Sequence, residues 1–228
     1  MIKTNLAVLM AERGLKIADV YNATGISKTT LMAISENTGK GIQYETVDKL
    51  CNFLNVTPQE FFSYAPYLFK FYKSKIDTDL PNVIITVNHS GNLKSFTFTP
   101  FIITPSSPNY PVVSNDADFI VNYTMELSVK NPTKVSKDKS EFYNIYDNLP
   151  VNLKAEINNR FLNIILDSLS KLNGKSVPAY DTLFINGNTN SHEQKIKNGM
   201  KVIINIFDDD RFSRLSTIPL FVVQQSDK

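Results

Sequence analysis

The stretch from Ile17 to Glu36 constrains the fold of this chain more than any other. Ile17, Val20 and Tyr21 fall at i, i+3 and i+4, the spacing that lines one buried face of a helix. Gly25 stands where that helix stops, at a position whose left-handed backbone costs glycine little. Ser27 follows as an N-cap, its hydroxyl placed to accept from an orphan amide of a second helix. Leu31 and Ile34 point inward from that second helix, which leaves Lys28, Thr29, Met32, Ala33 and Ser35 on its outer face. The predicted result is two short helices joined by a tight turn, the second with small and polar residues facing out. An ordinary helical bundle has amphipathic helices too, but few have this order of turn glycine, capping serine and exposed threonines.

The pattern continues on both sides. Leu6, Leu9 and Met10 give an amphipathic helix that takes in the first residues of the chain and closes at Arg13-Gly14. Val47, Leu50, Phe53 and Leu54 give another. Thr57, Pro58 and Glu60 then form a capping box with proline at the first helical position, opening a last helix at Phe61-Phe62. The prediction for residues 1–65 is an all-α domain of five helices with the turn between the second and third. These residues resemble the lambda-repressor-like (Xre or Cro/repressor) DNA-binding family. The features that carry the resemblance are the small Ala18, Thr24-Gly25-Ile26-Ser27 at the turn, and Leu54-Asn55-Val56-Thr57-Pro58 before the last helix. It covers residues 1–65 and no more.

The resemblance implies a helix-turn-helix whose second helix, residues 27–36, enters the major groove of double-stranded DNA. It places Lys28, Thr29, Met32 and Ala33 at base-reading positions. Ser27 and Thr30, with Lys16, Asn37 and Lys40 nearby, are then the phosphate contacts. Where family members often carry Gln, Arg or Asn, this chain has Met32 and Ala33, whose targets are thymine methyl groups. Lys28 is left to read guanine and Thr29 to make either kind of contact. The implied protein is a transcriptional repressor of phage or mobile-element (prophage) type, acting as a homodimer on a palindromic operator.

The 228 residues leave room for a second domain. Residues 1–73 hold eight Lys/Arg against six Asp/Glu, and the remainder is balanced at sixteen each, so the whole net charge of +2 sits in the first third. That is a faint electrostatic footprint for DNA binding, and it points to a dimer. No run of about eighteen apolar residues exists to span a membrane. The opening residues lack the apolar stretch of a signal peptide, and Cys51 is the single cysteine, so a cytoplasmic protein without an intramolecular disulfide is expected.

Residues 66–80 are expected as an aromatic linker, although Pro66 to Lys75 also fits a strand or an extension of the last helix. From Pro81 the period changes to two. Val83, Ile85 and Val87 precede a His89-Ser90-Gly91-Asn92 turn, with Phe96 and Phe98 beyond it, a hairpin pattern. Pro105 to Pro111 reads as a surface loop, and residues 119–129 as a strand with one buried and one polar face. Asn131 to Ser140 reads as a charged loop. A long helix begins near Leu149-Pro150 on the stripe Leu153, Ile157, Phe161, Ile164, Ile165 and Leu169. Further strands are predicted at 182–185, 202–207 and 220–223. Residues 81–228 are thus expected to form a β-rich α+β dimerisation or effector domain, a mostly antiparallel sheet with one long helix. Its interface is sought on the open face of the 119–129 strand or on the long helix.

No catalytic constellation emerges, and no cofactor or metal is implied. Ser168 and Lys171 have a Ser-x-x-Lys spacing, but they fall in the last turn of the long helix, where Lys171 complements the helix dipole. His89 in a turn and His192 in a polar loop lack zinc-ligand spacing, and one cysteine cannot build a thiolate site. Asp208-Asp209-Asp210 reads as a solvated strand end and Asn186-Gly187 as a turn. Two alternatives to a repressor concern the second domain. It can bind a protein target, as in an antitoxin or a phage-encoded inhibitor, with the N-terminal domain serving autoregulation. It can instead hold a small effector near Tyr110, Tyr123, Tyr143 and Tyr146, residues that equally fit a core.

Overall fold

The computed structural model describes residues 1–74, 79–104, 117–125, 132–180, 191–207 and 212–219, with side chains in the helix opening at Pro132 described from residue 137. The chain divides into two compact units, Met1–Tyr67 with Leu149–Lys154, and Leu68–Asn148 with Ala155–Lys228.

In the first unit, Ile2–Thr4 (β1) pairs antiparallel with Phe62–Tyr64 (β2), Ile2 opposite Tyr64 and Thr4 opposite Phe62. Between them lie Leu6–Glu12 (α1), Ile17–Thr24 (α2), Lys28–Ser35 (α3), Tyr44–Leu54 (α4) and Pro58–Phe61 (α5). The expected all-α, five-helix domain is therefore incorrect. The helices are short, with eight residues or fewer in α1 to α3 and a single four-residue turn in α5. The residues expected to start the first helix form β1 instead. The two-stranded ribbon gives backbone groups at both ends of the unit hydrogen-bond partners that isolated helix ends lack. Leu6, Val20, Leu31, Leu50 and Phe61 are fully buried at the centre of the helices. The capping box forms as expected: the Glu60 amide donates to Thr57 Oγ1 at 3.3 Å and the Thr57 amide to Glu60 Oε2 at 2.7 Å.

Among the described residues, the second unit is an eight-stranded sheet with two helices. Its elements are Leu68–Lys73 (β3), Val83–His89 (β4), Asn92–Ile103 (β5), Phe119–Met125 (β6), Pro132–Asp147 (α6), Val151–Lys171 (α7), Ser176–Tyr180 (β7), Ser191–Lys195 (β8), Lys201–Ile206 (β9) and Phe212–Thr217 (β10). The strands run in the order β10-β9-β6-β5-β4-β3, with β7 joined to β5 and β8 to β7. β5 is shared: its first half pairs with β4 up to Phe98, and its second half pairs with β6 from Phe98 to Ile103. The β4 ladder ends two residues before Pro100, which has no amide to give it. The turn into β5 uses Ser90 and Gly91, both at positive φ (52° and 87°), as a two-residue hairpin of this hand requires.

Two expectations for this unit are corrected. There are two helices and not one, because residues 132–147 form α6 where a charged loop was expected; proline suits the first position of a helix. And β6 has no open polar face, since Ile120 and Asn122 are buried along with Phe119, Val121 and Tyr123. The sheet is mostly antiparallel, as expected, with β6–β9 and β5–β7 as its parallel pairs among the described residues. Within the segment expected as a linker, β3 pairs along its whole length with β4. The strands predicted at 182–185 and 220–223, the 105–111 loop, Tyr110, Asn186-Gly187 and Asp208 to Asp210 lie outside the described residues.

The helices cover the sheet face carrying Val83, Ile85, Phe96, Phe98, Val121 and Tyr123. The ring of Phe142 in α6 lies tilted 5.2 Å from that of Phe96 and edge-on 5.1 Å from that of Phe98, centroid to centroid, and Phe161 of α7 lies 5.4 Å from Phe98 and 5.3 Å from Tyr123. Phe207 joins this cluster from a left-handed backbone (φ 72°), a conformation uncommon for a bulky residue. Lys94 at the sheet rim reaches α6, with Nζ 2.9 Å from Asp138 and 2.6 Å from Glu141, and these carboxylates hold its ammonium above the usual lysine range.

Candidate nucleic-acid interface

Helix α2 ends at Gly25, whose φ of 71° is the left-handed cap that its sequence position called for. Ser27 caps α3: its Oγ accepts from the Thr30 amide at 3.2 Å and lies 2.9 Å from Thr30 Oγ1. Leu31 and Ile34 are buried beneath α3, which fixes the helix's rotation. Ser27, Lys28, Thr29, Thr30 and Met32 are exposed as a result, and Ala33 is half-buried beside them. Burying the apolar side of a helix this short is what holds it; its own backbone bonds are too few to do so.

The remaining expected site residues are placed differently. Lys16 caps the start of α2 with its backbone, its amide donating to Asp19 Oδ2 at 2.8 Å, and its side chain is exposed. Lys40 is exposed in the segment between α3 and α4. Asn37 is not simply a surface amide. Its Oδ1 accepts from the Thr4 amide at 2.7 Å and from Thr4 Oγ1 at 3.3 Å, and its Nδ2 donates to the Thr4 carbonyl at 3.1 Å. Thr4 Oγ1 also donates to the Ile34 carbonyl at 2.6 Å. Asn37, left-handed at φ 57°, thus fastens the end of α3 to β1.

Tyr21 was expected in the core but stays 42% exposed. Its ring lies beneath the Lys28 ammonium, with Nζ 5.4 Å from the ring centroid. Helical spacing alone missed this residue. The available signal was an aromatic and a lysine flanking the turn, one on each helix. A groove of ≈ 680 Å³ on the same unit, lined by Tyr44, Val47, Cys51, Asn55, Val56 and Phe62 among others, involves none of the expected DNA-contacting residues. Burial, and secondarily Asp48, pushes the Cys51 thiol up, and the residue belongs to the buried core of the unit.

Ser168 and Lys171 are not paired with each other as a dyad. Ser168 Oγ donates to the Ile164 carbonyl at 2.7 Å, and Lys171 pairs with Asp167 at 2.7 Å. His89 ends β4 and His192 lies in β8, not in a loop. Tyr123, Tyr143 and Tyr146 are buried among the core rings, and burial raises the Tyr123 phenol far above its ordinary value. Among the described residues, no three His, Cys, Asp or Glu side chains gather as metal ligands, and no helix is long and apolar enough to cross a membrane.

Two short helices meeting at a left-handed glycine, the second capped by serine and buried on one side only, define a helix-turn-helix DNA-binding domain. Residues 5–66 match the Cro/C1-type HTH DNA-binding domain family, in the lambda-repressor/Xre-like manner that the sequence suggested. With this domain the chain is a DNA-binding transcription regulator. The match ends where the ribbon closes and does not extend into the second unit. No curated protein and no solved structure matches the chain.

Proposed function

We propose that the protein binds a palindromic operator as a homodimer and represses transcription, laying residues 27–36 in the major groove. The observation that carries this reading is the exposure of Lys28, Thr29 and Met32 on a helix whose opposite side is anchored by Leu31 and Ile34. Lys28 reads guanine, Thr29 bonds a base edge, and Met32 with Ala33 contacts thymine methyl groups. Ser27, Thr30, Lys16 and Lys40 hold the phosphates and set register. An eight-residue helix reads only a few base pairs, and the unit's positive surplus is small, so two copies one helical turn apart are needed for both affinity and specificity. The second unit is the part of the chain left to dimerise or to receive a protein partner or small effector.

The test is footprinting on the DNA immediately upstream of the protein's own gene across a salt series, with wild type and the double variant Lys28→Ala/Thr29→Ala. The wild type is expected to protect an inverted repeat, with affinity falling steeply as salt rises. Losing two base contacts removes about 1–3 kcal/mol each, enough to abolish protection without changing the melting temperature. Equal protection by the double variant refutes the assignment of the recognition helix. Sequence-indifferent binding by the wild type refutes the operator.

A further inference from the structure

We infer that Tyr21 is a positioning residue of the recognition surface: its ring holds the Lys28 ammonium in place and thereby sets the base preference that Lys28 reads. This rests on the reading of Lys28 as a base contact. Three observations converge on it. Tyr21 sits at core spacing on α2, yet Val20 beside it fills the core and Tyr21 remains 42% exposed. The face of its ring is therefore available to a group on the surface. The Lys28 Nζ lies 5.4 Å from the ring centroid, inside the range in which a cation is attracted to the face of an aromatic. And Lys28 is the first residue of α3, a helix with no acidic residue in its first turn. The helix dipole makes that end positive and disfavours a lysine there. The negative face of the Tyr21 ring offsets this local conflict.

The consequence is directional. A lysine carries a long flexible stem and three rotatable donors, so a free one discriminates poorly between acceptors. With the ammonium resting on a ring carried by α2, one side of the charge is occupied. The stem is confined, and the remaining donors point away from the ring. The two helices are held in fixed relation by the turn at Gly25 and by the buried Val20 and Leu31, so the constraint exists before DNA arrives. Preorganising a contact group raises selectivity by reducing the ordering cost on binding.

The experiment is selection from a duplex library with a randomised centre, using the full chain as wild type, Lys28→Ala, Tyr21→Phe, Tyr21→Leu and Tyr21→Gln. The enrichment of each base at each selected position is read by sequencing. Tyr21→Phe keeps the ring and is expected to reproduce the wild-type profile. The two ring-free variants are expected to flatten preference by roughly two- to five-fold at the same position that Lys28→Ala flattens, the size of an exposed cation–ring contact. Other positions and the salt dependence stay unchanged. If Lys28→Ala flattens a position and both ring-free variants keep it sharp, the positioning role is overturned while the recognition helix stands. If Lys28→Ala leaves every position intact, the role of Tyr21 and the base-reading assignment of Lys28 fall together. Using two ring-free variants guards against one that folds poorly.

Discussion

Asn37 offers the sharpest check on how this domain is built, because two roles for it predict opposite results. A phosphate contact can be removed without loss of fold; a fastener cannot. Asn37→Gly deletes the side chain but keeps the left-handed backbone that φ 57° requires. Its Oδ1 and Nδ2 each make one well-placed bond to Thr4, at 2.7 and 3.1 Å. Such bonds contribute about 0.5–1.5 kcal/mol apiece, so their loss costs about 1–3 kcal/mol. The added freedom of glycine in the unfolded chain costs about 0.5–1 kcal/mol more. The expected total is about 1.5–4 kcal/mol. With an m-value of about 1–1.5 kcal/mol/M in urea for a unit this small, the midpoint falls by roughly 1–4 M. Urea unfolding of the full chain, followed through the amide signals of residues 1–67, reads that unit by itself. A loss below about 1 kcal/mol is what chain entropy alone would give, and would show that the bonds to Thr4 stabilise nothing. If affinity for DNA also fell while stability held, Asn37 would be returned to the phosphates.

Two further outcomes concern the second unit. Phe207→Ala removes a ring that lies 4.8 Å from Tyr146 and 5.3 Å from both Phe98 and Phe142, and is expected to destabilise by about 3–5 kcal/mol in urea unfolding; a loss under about 1 kcal/mol would mean that the cluster closes around the gap. Burial by itself would raise the Asp167 carboxyl, but Lys171 at 2.7 Å and Lys73 at 3.0 Å outweigh it and hold it below its ordinary 3.8. A carboxylate depressed in the folded state contributes stability that is complete above its unfolded value and is lost as pH falls through the folded one. Stability of this unit should therefore decline from about pH 4 downward, and Asp167→Asn should flatten that part of the curve. An unchanged acid limb in the variant would remove Asp167 as its source.

The parts that could be read directly were those in which a single residue type answers a single backbone need. Gly25 at a left-handed cap, Ser27 over an orphan amide, Thr57 with Glu60, and Ser90-Gly91 in a hairpin all carry their geometry in their identities. What escaped were features decided by neighbours distant in sequence. Three residues at β1 have no period to detect, and they become a strand only because Phe62–Tyr64 lies alongside. Asn37 looks like any polar residue past a helix until Thr4 is brought to it. Residues 132–147 show few apolar positions, but Phe142, Tyr143 and Tyr146 suffice to bury one side of α6 against the sheet. In β6, alternation suggested an open face, whereas Ile120 and Asn122 are buried in the folded unit. Tyr21 failed for the opposite reason: its spacing says core, while the turn after it brings a lysine to its ring. The base-reading positions came from family resemblance, whereas exposure of most of them follows from burial of Leu31 and Ile34.

The ribbon of β1 and β2 has a bearing on when this domain becomes competent during synthesis. Ile2 cannot meet Tyr64 until residue 64 has left the ribosome, so the loop that must be closed spans nearly the whole unit, and its closure entropy is borne late. Thr4, which is fastened to both Asn37 and the Ile34 carbonyl, belongs to that late-forming strand. The end of α3 in the nascent chain therefore reaches its final setting only when the last residues of its own unit arrive. A polypeptide stalled before residue 62 lacks the partner strand of β1, whose Thr4 locks the end of α3.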